Sequence, residues 1–221
     1  DIAKWLESVA YALAWQKDEE LEKLADQAID DVVAAQQEDG YLNTYYTLTG
    51  IEKRFTNLMD NHELYCVGHM LEAAVAYYQT TGKRKLLDAM IRCVDCIDCA
   101  IGPEENKIHG YPGHPEIELA LMRLYEITQD EKHLKLAKYF VDERGKSPLF
   151  FEEESRRMNR RSSWLNGPMG YQYYQAGKPI REQTEAEGHS VRALYLYAGA
   201  ADVARETNDQ TLKETCQTLW D

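Results

Sequence analysis

Three of the six histidines, His62, His114 and His189, each stand about 15 to 20 residues ahead of a polar turn, at Gly82, Gln129 and Asn208. Each therefore opens a helix of the same kind. A helix N-terminus disfavours the imidazolium through the macrodipole, so such rings stay neutral and free to exchange hydrogen bonds with a polar ligand. Neutral imidazoles suit the hydroxyl groups of a sugar. The chain also holds 15 tyrosines, of which Tyr41, Tyr45, Tyr46, Tyr111, Tyr171, Tyr173 and Tyr174 fall in long connections. Flat amphipathic rings there favour sugar faces. The expected substrate-binding residues are therefore His62, His114 and His189 with Tyr41 and Tyr111; the competing reading of each histidine is a helix cap or a packing residue.

Other clusters offer weaker chemistry. His62, Cys66 and His69 share one helical stripe at i, i+4 and i+7 and could bind zinc, with Cys standing where the H-E-x-x-H motif has its second histidine. That motif needs both histidines on the metal, so His69 reads instead as a buried, hydrogen-bonded residue two turns down its helix. Cys93, Cys96 and Cys99 sit three apart, but successive positions rotate by about 300°, so the thiols drift around a helix rather than converge. They read as small packing residues. Glu63, Glu116 and Glu118 lie near the same mouth and could serve as acid or base if desolvated; the simpler expectation is first-turn acids complementing helix dipoles.

The elements that position these groups are helical, since apolar residues recur at three- and four-residue spacing, as in Leu71, Ala74, Val75 and Tyr78. Eight helices are predicted over 2–16, 18–37, 61–80, 83–100, 115–127, 130–143, 189–206 and 209–220. Gly40-Tyr41-Leu42 is the clearest strand-like piece. The helices pair through the turns Gln16-Lys17-Asp18, Thr81-Gly82-Lys83, Thr128-Gln129-Asp130 and Thr207-Asn208-Asp209. Each pair joins an apolar helix to a charge-rich one, so four αα hairpins form an inner and an outer layer. The return connections, 38–60, 101–114 and 144–188, are long, and all gather at the end where the inner helices begin. Long loops of that kind carry function.

Composition narrows the partners. With 25 Lys plus Arg against 38 Asp plus Glu, the formal net charge is −13, which repels nucleic-acid backbones and anionic membranes. No stretch approaches the roughly 18 apolar residues of a membrane-spanning helix. The content is 44% hydrophobic and 29% charged, ordinary for a folded domain. Five cysteines at low density argue for reduced thiols and a cytoplasmic setting; the chain starts at Asp1 rather than Met, so export stays open.

Three segments taken together resemble one family. Asn61-His62-Glu63-Leu64-Tyr65-Cys66 with Gly68-His69, Gly110-Tyr111-Pro112-Gly113-His114-Pro115-Glu116-Ile117-Glu118, and Pro179-Ile180-Arg181-Glu182-Gln183 followed by Gly188-His189-Ser190-Val191-Arg192-Ala193 look like the β-L-arabinofuranosidases of glycoside hydrolase family 127, once a domain of unknown function. The likeness runs from about Trp5 to the chain end. It implies an (α/α)6 toroid followed by β-sandwich domains, and a retaining mechanism in which a zinc-held cysteine is the nucleophile. In the family one glutamate and three cysteines bind the metal, and a separate glutamate is the acid/base. The family's sugar-contacting histidines match His62, His114 and His189.

By the same likeness the zinc ligands, nucleophile and acid/base fall beyond Asp221. Glu214-Thr215-Cys216 mimics the metal motif but lies too early. The expectation is therefore an all-α chain, about four of the six hairpins of an (α/α)6 toroid. It supplies substrate-binding residues but no catalytic residue and no metal ligand, zinc belonging to the full-length parent. Its partner is a small carbohydrate, and an open toroid edge would favour self-association. Two other readings are a sugar epimerase or isomerase using a histidine pair on the same barrel, and a non-catalytic helical-repeat interaction domain.

Overall fold

A computed structural model describes residues 1–221. Ten helices follow one another: α1 (Ile2–Trp15), α2 (Glu19–Ala34), α3 (Thr44–Thr49), α4 (Glu63–Thr81), α5 (Lys85–Ala100), α6 (Ile117–Thr128), α7 (Glu131–Glu143), α8 (Phe150–Arg157), α9 (Ser190–Thr207) and α10 (Gln210–Trp220). The chain is all-α. A single bridge pairs Ile101 with Ile108, and Gly40-Tyr41-Leu42 forms no strand. No helix is long and apolar enough to cross a membrane.

The four hairpins are α1–α2, α4–α5, α6–α7 and α9–α10. Their turns have a local cause. The inner helices α4, α6 and α9 end in left-handed residues, Gly82 (φ 74°), Gln129 (φ 54°) and Asn208 (φ 52°), which reverse the chain and release it from the helix. The strain of a left-handed glutamine is offset where the Gln129 amide donates to the Tyr125 and Glu126 carbonyls at 3.2 and 3.3 Å. An aspartate then starts three of the outer helices, Asp18, Asp130 and Asp209 accepting from the backbone N–H of Leu21, Lys132 and Leu212.

The inner helices pack in series, α1 on α4, α4 on α6 and α6 on α9. Glycines permit the closest approaches. A Cβ on Gly68 would stand 2.6 Å from Glu116 Cγ, and one on Gly199 would stand 2.9 Å from Glu118 Cβ and from the Leu119 N. The outer helices carry ion pairs between neighbours, Lys85 with Asp30 and Lys132 with Asp95. Exposed pairs of this kind contribute about 0–1 kcal/mol each. At the two ends of the arc Tyr11 and Trp15 on one side, and Val191, Leu194 and Trp220 on the other, are exposed. A groove of about 960 Å³ between α9 and α10 lies on that second edge, away from the histidines.

Two helices escape the sequence periodicity, α3 and α8, of six and eight residues. Elements that short show too few repeats to register. Both lie in the long connections, which pack down as ordered layers over the inner helices. Glu154 of α8 accepts from the backbone N–H of Leu58 and Met59 at 2.7 and 3.0 Å, so the 144–188 connection is tied to the 38–60 connection.

Candidate functional site

His62 caps α4, His189 caps α9, and His114 precedes α6 by a short extended stretch. Because the long connections gather at this end, the first two inner openings meet. The His62 and His114 ring centroids are 5.8 Å apart, with Tyr65 5.4 Å from the first and 4.5 Å from the second. Tyr195 of α9 completes the cluster at 5.8 Å from both His114 and His69. His189 makes its ring contact with Tyr173 instead, at 5.5 Å. It joins the others through Arg192, one turn further along α9, whose Nη1 donates to the Gly113 carbonyl at 2.7 Å. That guanidinium also lies over the Tyr173 and Tyr174 rings, 4.7 and 4.9 Å from their centroids.

The His62 and His114 rings are held toward the neutral form, with burial as the main cause. Desolvation, with Arg192 and neighbouring imidazoles adding to it, pushes the His114 ring down to about 4, and burial followed by the Arg192 charge lowers His62. The His114 Nδ1 donates to the Pro115 carbonyl at 2.7 Å, which leaves Nε2 unprotonated and able to accept from a hydroxyl.

Tyr41 and Tyr111 are placed differently from the sequence expectation. They are only 3% and 1% exposed. The Tyr41 hydroxyl donates to Glu63 Oε1 at 2.5 Å, and Tyr111 packs against Phe150 and Phe151 beneath the Arg144 guanidinium. Both are held in the core because the connections that carry them fold inward, and they present no face to a ligand. Tyr65, Tyr195 and Arg192 take the positions at the mouth. Tyr65 could have been found from its place three residues after His62, and Arg192 as the only charged residue of α9 before Asp202.

The acids are likewise not solvated first-turn residues. Glu63 accepts from Tyr41 and from the Phe55 N–H, yet burial outweighs these bonds and pushes its carboxyl up to about 7. Glu118 pairs with the fully buried Arg144 at 3.0 Å, whose guanidinium also donates to the Pro112 and Tyr174 carbonyls. Glu116 stands 3.2 Å from His69 Nδ1. Burial, then the charges of Glu72, Glu118 and Glu7, pushes its carboxyl up to about 9, while burial holds His69 near 4. Neither Glu116 oxygen has a hydrogen-bond partner, so each side chain keeps its own proton.

Cys93 and Cys96 are buried in α5, where desolvation drives their thiols up to about 12 and 11, while Cys99 faces outward. Cys66 lies beside His62 along a cavity of about 440 Å³ between α1 and α4. No three His, Cys, Asp or Glu side chains converge on one point. The residues present do not fit a zinc centre.

The two helical layers and the loops gathered over one end define an α/α-toroid domain, seen here as an arc. The comparisons with known proteins agree. The description "Beta-L-arabinofuranosidase, GH127 catalytic domain" matches residues 1–221, and the chain belongs to glycoside hydrolase family 127. It is 44% identical to the non-reducing end β-L-arabinofuranosidase of Bifidobacterium longum subsp. longum, covering 100% of this chain and 34% of that protein. Its fold superposes with a TM-score of 0.96 on a GH127 β-L-arabinofuranosidase from Geobacillus stearothermophilus T6, at 53% identity over 99% of this chain and 34% of that one. A second GH127 β-arabinofuranosidase gives a TM-score of 0.85 at 38% identity, covering 100% and 33%. The chain thus spans about a third of the length of these relatives.

Proposed function

We propose that this chain forms the sugar-binding side of the active site of a retaining β-L-arabinofuranosidase. The observation that carries the reading is the meeting of His62 and His114, 5.8 Å apart with Tyr65 beside both, at the open end of the inner helices. Neutral imidazoles and phenols there exchange hydrogen bonds with the hydroxyls of a furanose, and the aromatic faces meet its C–H groups. The resemblance assigns nucleophile, acid/base and a zinc that keeps the cysteine a thiolate to the remainder of a longer protein, and no step is routed through the residues of this chain. Their work is to bind and orient the sugar, which lowers the barrier by positioning.

The test is kinetic, in the full-length protein with an aryl β-L-arabinofuranoside. His114→Ala and His62→Ala are each expected to lower kcat/KM by about tenfold or more, the size of one or two lost hydrogen bonds to substrate, with the melting temperature unchanged. Wild-type turnover in both variants refutes the assignment.

A further inference from the structure

The 144–188 connection holds one large side chain that the reading above leaves unused. Trp164 is 54% exposed, although its indole lies parallel to the Tyr173 ring, 4.5 Å between centroids and 1° between planes. Tyr173 is itself buried and fixed. Its ring meets His189 edge-on at 5.5 Å, and the Arg192 guanidinium lies 4.7 Å from its centroid. The segment leading to Trp164 is anchored on the other side. The Ser162 hydroxyl pairs with the Tyr174 hydroxyl at 3.0 Å, and Arg160 Nη2 reaches Asp60 Oδ2 at 3.1 Å, two residues before His62. Trp164 therefore stands beside the Tyr173 ring that meets His189, one face on Tyr173 and much of the rest in water.

An indole left in water forgoes the burial that its large apolar surface would otherwise gain. A stack of fixed rings at the edge of a sugar site turns that surface into a binding face, because the C–H face of a saccharide ring covers an indole as another aromatic would. We propose that Trp164, stacked on the Tyr173 ring that meets His189, is a second carbohydrate subsite that takes the sugar ring adjoining the one held by the histidines. This rests on the function proposed above and adds to it a preference for an extended saccharide over a single unit.

The experiment compares two substrates in the full-length protein, methyl β-L-arabinofuranoside and a disaccharide of two β-L-arabinofuranosyl units. Trp164→Ala is expected to raise KM for the disaccharide about fivefold, the worth of one aromatic stacking contact. Its kcat, and both constants for the methyl glycoside, stay unchanged. Trp164→Phe restores most of the disaccharide KM, and Trp164→Leu, which keeps bulk without a flat face, does not. Should the alanine variant fail to fold, the leucine and phenylalanine pair carries the comparison. Equal effects on both substrates, or a lowered melting temperature with no change in discrimination, overturn the subsite and leave the active-site reading standing. A wild-type protein that turns over neither substrate overturns both.

Discussion

Replacing Glu116 by Gln keeps the size of the side chain and removes one ionisation from the core. In the folded protein that carboxyl is 1% exposed and pushed up to about 9 by burial and by Glu72, Glu118 and Glu7; in the unfolded chain it titrates near its ordinary 4.5. A group whose folded pKa is raised contributes stability that is complete below the unfolded value and is lost as pH climbs toward the folded one. At pH 7 the wild type has crossed about 2.5 units of that window, and at 1.36 kcal/mol per unit it has given up about 3 kcal/mol that the glutamine variant retains. His69 adds nothing to this sum, since neither Glu116 oxygen has a hydrogen-bond partner.

The expected result is unusual for a core substitution: Glu116→Gln stabilises. For a chain of this size the gain corresponds to about 6–12 °C in melting temperature at pH 7. Urea or thermal unfolding of both proteins at pH 4.5, 7 and 8.5 reads it. The two are equally stable at the lowest pH and diverge as pH rises. Parallel pH dependence would show that Glu116 ionises in the folded state with no penalty, and the account of the buried acid would fail.

Arg144→Ala leaves the Glu118 carboxylate fully buried without its partner; the loss is about 3–5 kcal/mol, and replacing Glu118 by Met in the same chain recovers much of it, read by denaturant unfolding. Arg192→Gln removes the charge that helps keep His62 and His114 unprotonated, so the acid limb of the kcat/KM profile moves to higher pH, the two rings now protonating closer to their ordinary value; an unmoved limb refutes the electrostatic part of that role. The isolated 221-residue chain exposes Val191, Leu194 and Trp220 along one edge, so sedimentation velocity at micromolar concentration should show association that Leu194→Glu weakens. A monodisperse monomer would count against it.

The hairpins were legible because their turns are written in local chemistry, a left-handed Gly82, Gln129 or Asn208 followed by an Asp or Lys that starts the next helix. The placing of His62 and His114 at one end was legible for the same reason: each stands about one helix length ahead of a comparable turn. What the sequence does not carry is direction. Tyr41 and Tyr111 turn inward because their connections fold over the core as layers, fixed by Glu63 and by the α8 phenylalanines, and no local pattern states that. The burial of Glu116 and Glu118 depends on how closely α4 and α9 approach α6. Gly68 and Gly199 set that distance, and a glycine within a helix announces a close neighbour without naming it.

The buried acids divide by what answers them. Glu63 receives the Phe55 N–H and the Tyr41 hydroxyl, Glu154 receives Leu58 and Met59, and Glu118 receives Arg144, which in turn holds the Pro112 and Tyr174 carbonyls. Each spans from a helix to a connection, so the loops carrying His62 and His114 are fixed by carboxyl acceptors bonded to backbone, hydroxyl and guanidinium donors, the Arg144–Glu118 bond being of the stronger, charge-assisted kind. Glu116 spans nothing and holds only a proton. It sits against the His69 ring two residues after His114, so an uncharged acid meets an uncharged imidazole next to the histidine pair. The stability forgone at Glu116 thus falls beside the candidate site, which is where a departure from core rules is expected.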